Sequence, residues 1–226
     1  MSPITPALFK FLRELKENNN RPWFQENKSR YEQQVKEPLL QFITDFGAYL
    51  PEISEHYTAI PKATGGSMFR IYRDVRFSKD KSPYKTAAAI QFRHAAGKDV
   101  HAPGFYLHLE PGGVFAGCGI WHPNTKTLTK IRSAIVDHPD LWHAAITDDA
   151  FQRTFTREGE SLKRAPRGFD ADHPLIEDLK YKDHVGSAEL SEEEVCRDNF
   201  LARYVALCKT ASPFMQFLTE SLGLAW

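Results

Sequence analysis

GFYLHLEPGGVFAGCGI, residues 104–120, reads as two β-strands joined by a tight turn. Neighbouring side chains on a strand point to opposite faces, so Phe105, Leu107 and Leu109 share one face while Tyr106, His108 and Glu110 share the other. Pro111, Gly112 and Gly113 supply the turn, glycine being the residue for which a positive φ costs least. On the returning strand Ala116 and Cys118 lie on one face, Gly117 and Gly119 on the other. One face is bulky and apolar, as a sheet packed on helices requires. The other sets long polar side chains beside very small ones, which leaves open volume with donors and acceptors at its wall. A wet outer sheet face would give the same alternation without any ligand.

Outward from this hairpin, residues 67–74 and 86–93 are expected as two further strands. Alternation puts Phe69 and Ile71 opposite Arg70, Tyr72 and Asp74, and Ile90 and Phe92 opposite Ala87, Ala89 and Gln91. On both flanks the period becomes helical. Leu8, Phe9, Phe11, Leu12 and Leu15 recur at three-to-four spacing until Asn18, Asn19 and Asn20 stop them. A second helix is expected from Pro22 with Trp23, Phe24 and Tyr31. A third follows Pro38, burying Leu39, Phe42, Ile43, Phe46 and Leu50. Asn124 or Thr125 caps a helix carrying Leu128, Ile131 and Ile135, and Asp140 a short one carrying Leu141 and Ile146. A short helix is expected from about residue 172 and a strand within residues 183–190. Ser191 and Glu194 form a capping-box pattern before a long helical region interrupted at Pro213. The expected fold is a single α+β domain over 1–226: a mainly antiparallel sheet core at 59–123, a helical part at 1–58, and a helical part with one strand at 124–226.

The chain has 226 residues, 16 of them Phe, and its 29 basic and 29 acidic side chains cancel. Zero net charge argues against bulk nucleic acid or an anionic membrane as the main partner. Three cysteines (Cys118, Cys196, Cys208) without a CxxC suit a reducing compartment. The N-terminal stretch lacks the apolar core and cleavage site of a signal peptide, and no apolar run is long enough to span a membrane. A cytoplasmic, soluble protein is expected.

Against the neutral background, FRIYRDVRFSKDKSPYKT at 69–86 holds six Arg or Lys and two Asp in 18 positions. Arg70, Arg73, Arg76, Lys79, Lys81 and Lys85 are the candidate anion-binding residues. Arginine offers a planar fork to phosphate or carboxylate, and lysine a mobile point charge. Asp74 and Asp80 can position some of them by ion pairing. Tyr72 and Tyr84, with Tyr106 from the hairpin, are candidate pocket walls. Phe77 also interleaves with the cations, as a single-strand nucleic-acid platform requires, but one loop offers few phosphate contacts. A charged loop with no ligand, tying sheet to helices through Glu26 or Glu32, is the structural alternative.

His108 and Glu110, two apart on one strand face, are the candidate catalytic acid/base pair. His94, His101 and His122 lie nearby, but without HExxH or CxxC they form no recognisable metal motif. No cofactor or metal is expected. The melting temperature should therefore be the same in reductant and in EDTA; a drop of several degrees in EDTA would reinstate a metal site. A nucleophile finds little support, since GxSxG is absent and no helix N-terminus activates Cys118.

Four stretches, FLRELKENNNRPWFQENKSRYE (11–32), FRIYRDVRFSKDKSPYKT (69–86), GFYLHLEPGGVFAGCGIWHP (104–123) and LKRAPRGFDADHP (162–174), together resemble the family called domain of unknown function 2461. The resemblance spans nearly the whole chain. It implies a soluble single-domain protein, mostly bacterial and fungal, and brings no catalytic residues with it. Three functions compete: an enzyme acting on a small phosphorylated or carboxylated molecule, a non-catalytic module for an anionic metabolite or nucleic acid, and a protein-interaction domain. An enclosed pocket at His108 and Glu110 favours the first, a continuous basic-aromatic groove the second, and a flat exposed loop the third.

Overall fold

A computed structural model describes residues 2–97 and 101–226. The chain opens with α1 (Pro6–Glu17), whose buried Leu8, Phe9, Phe11, Leu12 and Leu15 form one face. The Asn20 side chain caps α2 (Arg21–Glu26), and α3 (Lys28–Tyr31) runs through a π-helical stretch, Glu32–Lys36, into α4 (Glu37–Gly47). The two helices expected here are thus one nearly continuous rod, with Pro38, which has no N–H to donate, falling just after the π-helical stretch where the backbone bonding changes register.

Among the described residues the sheet has six strands, all antiparallel, in the order β1-β2-β3-β4-β6-β5. They are β1 (Tyr57–Thr58), β2 (Ala88–His94), β3 (Gly104–Leu109), β4 (Val114–Ile120), β5 (Thr156–Glu158) and β6 (His184–Leu190). The β3–β4 hairpin closes through Glu110 to Gly113, where the Gly113 N–H donates to the Glu110 carbonyl at 2.9 Å and Gly112 takes φ +79°. Proline second and a positive-φ glycine third is the type II arrangement.

The strand expected at 67–74 does not form. Met68 makes a single bridge to Ile90, and Tyr72 another to Tyr84. Met68 and Ile71, three apart, both enter the core, which strict alternation forbids, so the backbone must twist between them. Phe69 consequently leaves Ile71 and lies against Tyr106 on the opposite sheet face.

After β4 come α5 (Thr125–Asp137), α6 (Pro139–Thr147) and α7 (Asp149–Thr154); α8 (Ile176–Lys180) precedes β6, and α9 (Glu192–Val195) and α10 (Phe200–Ser221) follow it. Asn124 caps α5, and Ser191 with Glu194 forms the capping box of α9. In α6 Trp142 and Ala145 are buried while Leu141 is exposed, so its inward face is rotated from the expected one. Pro213 does not interrupt α10. Tyr204, Leu207, Cys208, Ala211, Phe214, Met215 and Leu218 bury one side of it, and packing on that scale outweighs one lost backbone hydrogen bond. Phe46 of α4 meets Phe92 at 4.3 Å between ring centroids, closing the core over the apolar sheet face. Among the described residues no helix is long and apolar enough to cross a membrane.

Candidate functional site

The sheet face turned away from α10 carries a cleft of about 690 Å³. Its floor is low because Gly104, Gly117 and Gly119 present no side chains there. Phe69, Tyr106, Phe115 and Trp121 form aromatic walls, and Glu158, Glu160 and Asp183 bring carboxylates; among the described residues none of those lining the cleft is Lys or Arg.

On β3 the sequence-predicted residues make one hydrogen-bonded chain. His108 Nε2 lies 3.3 Å from Glu110 Oε2, Tyr106 Oη lies 3.0 Å from His108 Nδ1, and Thr86 Oγ1 donates to Glu110 Oε1 at 3.1 Å. An ionised carboxylate only accepts, so Nε2 is the donor to Glu110 and Nδ1 of the neutral ring accepts from the Tyr106 hydroxyl. Burial, reinforced by Glu110, pushes Tyr106 up to about 12, so its proton stays on. Phe115 stacks on His108 at 4.8 Å and holds the ring in place.

The cations of the basic segment do not line this cleft; Arg73 and Lys85 line a second one beside it, of about 450 Å³, with Asp80, Ser82, Tyr84 and Thr86 and with Lys16 and Asn19 of the α1 end. Two of its cations are neutralised internally. Arg73 pairs with Asp80, and Arg76 with Asp74 at 2.7 Å. The Arg76 hydrogen bonds hold Asp74 down at about 2, and Arg73, helped by Ser82, holds Asp80 well below the usual carboxylate range. Lys81 donates to the Val75 carbonyl at 2.9 Å, and Lys79 and Arg70 are exposed. Lys85 is half-buried with its Nζ 5.2 Å from the centroid of Phe69, a wall of the larger cleft. Burial, then the charge of Arg70, lowers its pKa. The two clefts thus meet at Phe69 against Lys85, while Glu110, bonded to Thr86, lines neither of them.

Of the candidate wall residues, Tyr106 lines the larger cleft and Tyr84 the smaller, where it stacks on Phe24 at 4.1 Å. Tyr72 is half exposed at the edge of Phe24. The segment is fastened through Asn19, whose amide donates to the Tyr84 carbonyl at 3.0 Å and accepts its N–H at 3.1 Å. Glu32, considered for this role, pairs with Lys36.

The family model described as a conserved hypothetical protein (DUF2461) matches residues 7–217. The chain belongs to the DUF2461 family. Neither curated proteins nor solved structures give a match.

One contact at the cleft of this DUF2461 protein escapes a reading of the sequence. Asp183, at the entry to β6, reaches His122, just past β4, because Ile120 pairs with His184 across the two strands. Asp183 Oδ1 accepts the His122 backbone N–H at 2.6 Å and lies 3.0 Å from its Nδ1. Only the pairing of β4 with β6 could have signalled that contact. The four neighbouring histidines do not converge: His94 Nε2 bonds the Ala225 carbonyl and His101 Nδ1 the Trp121 carbonyl. Among the described residues no three His, Cys, Asp or Glu side chains are grouped so as to hold a metal ion. Burial raises the Cys118 thiol to about 12, which leaves it a poor nucleophile.

Proposed function

We propose that this protein is an acid/base enzyme for a small phosphorylated or carboxylated molecule. Lys85, with Lys16, Arg70 and Arg73 around it, holds the anionic group, and the body of the ligand passes over Phe69 into the glycine-floored cleft. There the Tyr106–His108–Glu110 chain moves a proton. The observation that carries this reading is Lys85 itself, a half-buried ammonium lining the smaller cleft, whose pKa is lowered by burial and then by the like charge of Arg70. A bound anion would relieve that repulsion through charge-assisted hydrogen bonds. The free thiols of Cys118, Cys196 and Cys208 support placing the enzyme in the cytoplasm.

A thermal-shift screen with inorganic phosphate, pyrophosphate and phosphorylated or carboxylated metabolites tests the reading. A ligand at 100 times its dissociation constant stabilises by about 2.7 kcal/mol. Lys85→Ala should weaken the anion about tenfold or more, about 1.4 kcal/mol, with little change in melting temperature. Arg73→Ala should weaken it less, because Asp80 already engages that guanidinium. Anion binding that survives Lys85→Ala, or a screen in which no anion stabilises the wild type, would sink the reading.

A second reading, a module for nucleic acid or protein, rests on Phe77, which is 95% exposed with the Arg76 guanidinium 5.8 Å from its ring centroid. It predicts that Phe77→Ala abolishes partner binding while leaving small anions unaffected.

A further inference from the structure

His122 lines the same cleft yet takes no part in the Tyr106–His108–Glu110 chain. Its backbone φ is +46°, a left-handed conformation uncommon for a non-glycine residue, which persists where surrounding contacts impose it. Those contacts come from Asp183, whose side chain is 4% exposed and whose Oδ1 accepts the His122 backbone N–H and lies 3.0 Å from the ring Nδ1. The other carboxylate oxygen, Oδ2, receives the Glu160 N–H at 3.4 Å. A carboxylate that only accepts fixes the proton of the neutral ring on Nδ1, which leaves the lone pair on Nε2. The ring is half exposed, and Trp121 covers one side of it at 4.1 Å between centroids. Both nitrogens of His108 are engaged within the protein, whereas His122 has one that is not tied to Asp183.

We propose that His122, positioned by Asp183, is a general base of the cleft, acting on an O–H group of the ligand or of a water beside it. The O–H bond breaks, its proton goes to Nε2, and the electron pair stays on the oxygen, which becomes the nucleophile. The imidazolium that results keeps its Nδ1–H on Asp183, whose negative charge stabilises it. The strained backbone aims the ring. Gly119, three residues earlier, lets β4 lie close enough to the start of β6 for Asp183 to reach. The inference rests on the larger cleft being the ligand site, and not on the anion being held at Lys85.

Two measurements on the intact protein test it. Two-bond proton–nitrogen correlation spectra report which ring nitrogen of His122 carries the proton; Nδ1 is expected in the wild type, with a larger share on Nε2 in Asp183→Asn, whose neutral carbonyl holds an Nδ1–H less strongly than the carboxylate. Diethyl pyrocarbonate, which acylates an unprotonated imidazole nitrogen, should modify His122 faster than the exposed His138, with peptide mapping locating the label. Asp183→Asn should slow the reaction at His122 by about tenfold or more and leave His138 unchanged. A proton on Nε2 in the wild type, or a His122 rate no higher than that of His138, would overturn the proposal. Both wild-type readouts stand even if Asp183→Asn fails to fold. Neither involves Lys85, so loss of phosphate binding in Lys85→Ala and reactivity of His122 succeed or fail independently.

Discussion

Gly119→Ala is expected to remove about 3–5 kcal/mol of stability, enough to unfold much of the population of a domain stable by about 5–15 kcal/mol. Two costs add. Gly119 holds φ +120°, a conformation L-residues rarely adopt, and a Cβ there would sit 2.0 Å from the His184 carbonyl oxygen and 2.8 Å from the Val185 Cα. Backbone strain of this kind costs about 1–3 kcal/mol, and overpacking against atoms that cannot rotate away costs about as much again. Since the obstacle is backbone, relief requires β4 to separate from β6, which breaks the pairing that brings Asp183 to His122 and flattens the cleft. Gly112→Ala is the control. It also has a positive φ, +79°, but nothing lies within 4 Å of the new methyl, so it should lose only about 1–2 kcal/mol. Urea denaturation of both variants measures the difference. Equal losses at the two positions would show that the β4–β6 approach is soft.

The hairpin and its two faces were legible because the signal is local. Period two over residues 105–109, followed by Pro-Gly-Gly, needs no partner to be read, and the Tyr106–His108–Glu110 chain follows from it. The misread strand at 67–74 shows the limit. Its composition is strand-like, yet Met68 and Ile71 are drawn into the core from positions that no straight strand could place on one side. Charge in the basic segment was visible, but its internal neutralisation through Arg73–Asp80 and Arg76–Asp74 depends on how the loop closes. The fold sets the cations beside the cleft of the hairpin residues, with Lys85 at the boundary. Asp183 and Asn19 were invisible for one reason. Each acts on a residue about 60 positions away, His122 and Tyr84, and such contacts exist only once the sheet is paired.

Between about pH 6.5 and pH 3 the protein should lose stability as acid is added, and His184 should account for much of the loss. His184 is buried between β6 and α6, edge-on to Trp142 at 5.8 Å, and neither ring nitrogen has a hydrogen-bond partner among the described residues. Burial, then the charges of Arg157 and Arg132, lowers its pKa to about 3. Arg157 cannot retreat, since it pairs with Asp178 and lies 5.0 Å from the Trp142 ring centroid; Arg132 is fixed by the Leu179 and Tyr181 carbonyls. In the unfolded chain the same imidazole titrates near 6.5. Above that value both states are neutral and pH has no leverage through this group. Below it the unfolded chain takes up a proton the folded chain refuses, so stability falls by up to about 1.4 kcal/mol per pH unit until the folded group titrates. Asp74, exposed and held at about 2, adds its own loss only below its unfolded value of about 3.9. His184→Leu, close in volume and without polar atoms, should flatten the stability curve between pH 6.5 and 4.5. It should also leave neutral-pH stability unchanged or raised, because two unpaired buried nitrogens are removed. Thermal melts of both proteins across that range decide the matter: an unchanged slope in the variant would mean that His184 meets solvent, or a partner, before the fold gives way.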